Sequence, residues 1–111
     1  MTDLEGIAAS SVAGERFAVT LDVWEVLWPF LCSFVLDLVD GSLVDAGGYN
    51  EGARVEVEVA STLATRLELS LGTGAVARRL ACGVARPLRC TEDELRALVV
   101  FLRGSCGFVI W

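Results

Sequence analysis

The stretch from Thr91 to Trp111 constrains this chain most. Thr91-Glu92-Asp93-Glu94 has the form of a capping box, with Thr91 as N-cap and Glu94 three residues on. Leu95, Leu98, Val99 and Leu102 then recur at helical spacing, Gly104 and Gly107 stop the helix, and Phe108-Val109-Ile110-Trp111 reads as a strand. The spacing predicts a helix over 92–103 and a strand over 107–111. An ending on Ile-Trp without a polar tail is expected to be buried.

Upstream, Phe17, Val19, Leu21 and Val23 alternate with Ala18, Thr20 and Asp22, which predicts a strand over 17–23. The next segment has two readings. Asp22 and Glu25 open a capping box and a helix with Pro29 in its interior, or the helix starts at Pro29, where a missing N–H is harmless. Trp28, which precedes proline, is steered away from the α region, so the second reading is preferred: a helix over 29–39, closed by Gly41. Ser42 to Gly52 reads as a loop. Val55 and Val57 alternate with Arg54, Glu56 and Glu58, giving a strand over 53–57. Val59, Ala60, Leu63, Ala64, Leu67 and Leu71 then follow helical spacing over 59–71, although Leu67, Leu69 and Leu71 also fit a hairpin. Residues 1–14 show little periodicity and read as a loose lead-in. The sum is one α+β domain over 1–111. Its small, mostly antiparallel sheet has about three strands, packed against about three helices.

Composition removes most chemistry. The 111 residues contain no histidine, so neither a Ser-His-Asp or Cys-His nucleophile nor a histidine base can be built. Cys32, Cys82, Cys90 and Cys106 form no Cys-x-x-Cys pair, and no metal or other cofactor is expected. Cys106 is expected to be the most exposed thiol. Cys90, between Arg89 and a helix start, is the one candidate for activation, against the reading of an inert, half-buried thiol. Gly72-Thr73-Gly74 lacks the lysine and preceding glycine of a P-loop. The chain is read as no enzyme. The longest uncharged apolar run, Val26 to Leu36, is too short to span a bilayer, and the first residues carry Asp3 and Glu5 rather than a basic signal region. A cytoplasmic protein is expected.

Charge and aromatic residues supply the candidate sites. Residues 1–51 carry a net −8 and residues 52–111 a net +2, which together give the chain's −6. This balance disfavours nucleic acid as a partner. Asp37, Asp40, Asp45 and Glu51 form a candidate acidic face, and Trp24 and Trp28 either join it as partner-binding aromatics or belong to the core. Arg78, Arg79, Arg86 and Arg89 concentrate positive charge and are candidate anion-binding residues, or they neutralise the acidic first half. They lie in an eight-residue echo, Val76–Cys82 against Val84–Cys90.

The cluster Trp24 to Pro29, the loop Asn50-Glu51-Gly52, the helix bearing Ala60, Leu63, Ala64, Leu67 and Leu71, and the ending Phe101-Leu102 followed by Cys106-Gly107-Phe108-Val109-Ile110 give the chain a likeness. It resembles a family of small uncharacterised bacterial proteins over about residues 24–71 and 92–111. The family's ending has the form Phe-Leu, Gly-Gly-Phe, acidic-Ile. Here Cys106 replaces the first glycine of the pair, and Val109 the acidic residue. The resemblance implies a helix rather than a hairpin over 59–71 and carries no activity.

Three functions fit these residues. The first is a non-catalytic, acidic protein-binding module, such as an inhibitor or immunity-type protein masking a basic target. The second is a structural homo-oligomer that pairs its terminal strand and apolar surplus (54 % of residues are hydrophobic) with a second copy. The third is a phosphate- or nucleotide-binding protein that uses the arginines of 78–89.

Overall fold

Alternation and helical spacing resolve into four strands and four helices among residues 2–48, 52–74 and 90–111, which the computed structural model describes. In chain order they are β1 (Thr2–Gly6), a single 3-10 turn (Val12–Gly14), β2 (Arg16–Val19), α1 (Leu21–Cys32), α2 (Gly41–Gly47), β3 (Ala53–Val55), α3 (Val57–Gly72), α4 (Glu92–Ser105) and β4 (Phe108–Ile110). The fold class is α+β, as expected. The strands form one antiparallel sheet in the order β2-β1-β4-β3.

Register sorts the sheet's two faces. Leu4 sits opposite Phe17 on one side and Ile110 on the other, and Gly6 and Val55 flank Phe108. Leu4, Val55, Phe108 and Ile110 are buried against the apolar stripes of the helices, with Phe101 of α4 packed on both Phe17 and Phe108. The opposite face carries Asp3, Glu5, Arg16, Ala18, Arg54 and Val109. Trp111 joins that face: its backbone pairs with Asp3, its indole N–H donates to Glu5 at 3.1 Å, and the residue is 52 % exposed. The expected burial of the chain's ending thus holds for Ile110 and fails for Trp111.

The loose lead-in expected over 1–14 is corrected, because Thr2–Gly6 is an interior strand. Only Thr2 and Leu4 of that strand turn inward and are buried, too few to register as alternation. Its interior position also places β4 between two neighbours, which closes the terminal strand to edge pairing with a second copy.

The strand expected over 17–23 ends at Val19, and the helix expected over 29–39 is displaced to Leu21–Cys32 with Pro29 inside it. An interior proline costs about 3 kcal/mol. Here the helix stops three residues later, and the same register buries Trp24, Leu27, Trp28, Phe30 and Leu31, each contributing about 1.5–3 kcal/mol. Side-chain burial outweighs the local backbone penalty. Residues 33–39 form turns instead of helix. Over 57–72 the helix reading holds, burying Ala60, Leu63, Ala64, Leu67 and Leu71 and leaving outside the Leu69 that a hairpin would have enclosed.

The capping box is formed: the Thr91 hydroxyl accepts from the Glu94 N–H, and the Thr91 N–H donates to the Glu94 carboxylate. At the other end of α4 the final carbonyls are satisfied from far away in sequence. Ser10 N–H donates to Gly104 O at 2.8 Å, Ala8 N–H to Ser105 O at 3.3 Å and Ile7 N–H to Gly107 O at 3.0 Å. This approach needs bare backbone. A Cβ on Gly14 would lie 2.1 Å from the Gly104 carbonyl carbon, and a Cβ on Gly6 would lie 2.1 Å from Gly14 O. Gly14→Ala is therefore expected to cost about 3 kcal/mol or more, lowering Tm by more than about 10 °C in thermal denaturation.

Cys106 and Gly107 both adopt left-handed backbone, with φ of 53° and 96°. A non-glycine residue there carries roughly 1–2 kcal/mol of strain. Cys106→Gly should raise stability by about 0.5–1 kcal/mol after the added flexibility of the unfolded glycine is subtracted. Urea denaturation would show this as a higher midpoint with unchanged slope.

Candidate functional site

The site is a pocket between α1 and α2, and it begins with the tryptophans. Asp40 caps α2, its carboxylate accepting from the Leu43 N–H at 2.9 Å. A helix of seven residues does not persist alone in water, and α1 holds this one through two indoles. Trp28 Nε1 donates to Val44 O at 2.7 Å and Trp24 Nε1 to Gly47 O at 2.8 Å. The Gly48 N–H serves the carbonyls of Asp45 and Ala46. The carbonyls of Val44, Asp45 and Gly47 at the end of α2 thus have donors. Gly47 is required by the contact, since a Cβ there would lie 2.3 Å from the Trp28 ring.

Trp24 and Trp28 stack with ring centroids 5.4 Å apart and are 0 % and 4 % exposed. Of the two readings of these residues, the structure places the rings in the core, and their N–H groups have acceptors within the fold. What they do is wall a cavity of about 360 Å³ lined also by Glu25, Pro29, Val44, Asp45 and Gly48. Helix α1 supplies residues at i, i+1, i+4 and i+5, and α2 supplies i, i+1 and i+4. Two exposed carboxylates, Glu25 and Asp45, face one opening, and among the described residues no basic one lines it. The negative end of the α2 dipole lies at the same place.

The structure thus brings together three of the expected residues, Trp24, Trp28 and Asp45, and separates the others. Asp40 serves as the cap at the far end of α2. Asp37 is bound to Arg66 of α3 through two hydrogen bonds of 2.6 and 3.1 Å, and Arg66 also donates to Phe34 O at 2.7 Å, pinning the turn after α1 to α3. Glu51, Cys82, most of the eight-residue echo, and Arg78, Arg79, Arg86 and Arg89 lie outside the described residues. Glu25, Pro29, Val44 and Gly48 were not singled out from sequence. The signal for the α1 pair lay in the alternative helix register from Asp22, which places Glu25 and Pro29 four apart.

Burial works against thiolate formation at Cys32 and Cys90. Burial pushes the Cys32 thiol up to about 11. Burial, with the Glu94 carboxylate adding to it, pushes Cys90 to about 11, which agrees with the reading of an inert, half-buried thiol. Cys106, expected as the most exposed, is half-buried, as is Cys90. Among the described residues no group of three or more Cys, Asp or Glu is placed to hold a metal ion, and no helix is long and apolar enough to cross a membrane.

The Arg66 hydrogen bonds hold the Asp37 carboxyl below its usual range. A carboxylate whose pKa falls on folding stabilises above its unfolded value, and that contribution drains away as pH drops through the folded value. Asp37→Asn should therefore lower Tm at neutral pH, and the gap to wild type should close as pH falls below about 4 in a thermal titration. The chain matches no protein-family model, no curated protein and no solved structure.

Proposed function

We propose that this protein is a non-catalytic binding module whose acidic surface masks a basic target, in the manner of an inhibitor or immunity-type protein. The observation that supports this reading is the placement of charge. Every acid except Glu51 lies among the described residues, whereas the basic residues there are Arg16, Arg54, Arg66, Arg96 and Arg103. Four of these five are already paired, with Asp3, Glu56, Asp37 and Glu68 respectively. Among the described residues, what this surface offers a partner is mainly carboxylate. A field of one sign accelerates encounter with an oppositely charged protein and rejects like-charged ones. The α1–α2 pocket, which among the described residues is lined by two carboxylates and no base, is one concave part of that surface.

The test is affinity capture from the cells that make the protein, followed by a salt titration of the captured complex. The expected partner is basic, and Kd should weaken by about tenfold or more as ionic strength rises past the range where the Debye length falls below about 8 Å. Capture of no partner, or an affinity indifferent to salt, would overturn the reading.

A further inference from the structure

We infer that α2 is a latch: it opens as a unit while the sheet, α1, α3 and α4 stay folded, and each opening bares the stacked Trp24–Trp28 pair to solvent. The latch is independent of the masking function proposed above. Its ground is how little of α2 lies inside the protein. The helix packs on α1 and β3, yet Gly47 is its one buried residue, and Leu43 and Val44 are half-buried against the core. By contrast, α1, α3 and α4 each bury five or more residues. A helix as short as α2 persists only through packing. Segments with few buried apolar contacts open locally before the whole molecule does.

Polar contacts hold the closed form. One end is tied by the Asp40 carboxylate, which accepts from the Leu43 N–H. The other is tied by Trp28 Nε1 donating to Val44 O and Trp24 Nε1 donating to Gly47 O. Opening exchanges these bonds for bonds to water, so each adds only modestly to the closed state. Against them, unwinding returns backbone freedom to all seven residues of α2. The carbonyls of Val44 and Gly47 are aimed at the indoles by the helix itself, so the cap, the helix and both indole bonds are lost together. What opening uncovers is specific. With α2 closed, Trp24 and Trp28 are buried, and Gly47 lies so close over the Trp28 ring that a Cβ there would be 2.3 Å from it. Moving α2 removes that cover.

Hydrogen exchange on the full-length protein, followed by nitrogen-15 NMR across a series of low urea concentrations, tests the latch. The indole N–H groups of Trp24 and Trp28 and the amides of Leu43 and Val44 should share one opening equilibrium. It should lie about a hundredfold or more above that of the slowest α3 and α4 amides and depend little on urea. Thr91→Ala removes the α4 cap, which stays formed while the latch alone opens. It should speed the slowest amides about fivefold and leave the α2 group unchanged. Asp40→Ala should speed exchange at both indoles about fivefold, because the cap and the indole bonds break in one event. The latch falls if the α2 group shows the protection and urea slope of the slowest amides, since α2 then opens only by global unfolding. It falls also if Thr91→Ala speeds both groups alike. If Asp40→Ala leaves the indole rates unchanged, the rings exchange by motions of their own, and the latch is again overturned. The wild-type urea series decides between these outcomes even if a variant fails to fold. None of them bears on the masking function, which its own salt titration tests.

Discussion

The fold depends on a backbone contact between its two ends. Gly6, Gly14 and Gly104 meet without side chains between them, and the N–H groups of Ile7, Ala8 and Ser10 satisfy the last carbonyls of α4 and the Gly107 carbonyl. That contact sets β1 beside β4, with Leu4 opposite Ile110. Without it the β1–β2 hairpin would detach from the β3–β4 pair, and Leu4, Phe108 and Ile110 would lose the shared face that receives the helices. Because the pairing joins residues near opposite ends of the chain, its loop-closure cost must be met before the core can reward it. The donors supplied to the Gly104 and Ser105 carbonyls at the end of α4 are one part of what offsets that cost.

This arrangement explains which parts of the fold were legible in sequence. The capping box at Thr91 and the stripe from Leu95 to Leu102 are local signals, and α4 forms where they place it. The helix over 57–72 is equally local. By contrast, β1 shows only two inward residues and reads as irregular, because its stability comes from neighbours distant in sequence. Pro29 misled for a related reason. The rule that a proline opens a helix is a backbone rule, and here the burial of two indoles and their bonds to α2 prevailed over it. The substitution of Cys106 for a glycine was visible in the resemblance. Its meaning, a left-handed backbone at two successive residues, was not.

The candidate site was legible in composition and illegible in geometry. Asp45 and the tryptophans were marked by charge and aromaticity, yet their juxtaposition depends on α2, a seven-residue helix that sequence pattern reads as a loop. Asp40 and Gly47-Gly48 bracket it, but so short an element has no periodicity to detect. It exists because Trp24 and Trp28 supply donors to its last carbonyls, an interaction between segments separated by 16 and 23 residues.

A division of labour follows between the two kinds of residue. The tryptophans have no remaining freedom to bind: their N–H groups are paired and their rings are enclosed. Asp37 and Asp40 are similarly committed, one to Arg66 and one to the α2 cap. Each expected binding residue that the fold employs becomes a fixed support. Glu25 and Asp45 both line the opening that those supports create. Rigid aromatics beneath and exposed carboxylates at the rim make a surface whose shape is set by folding.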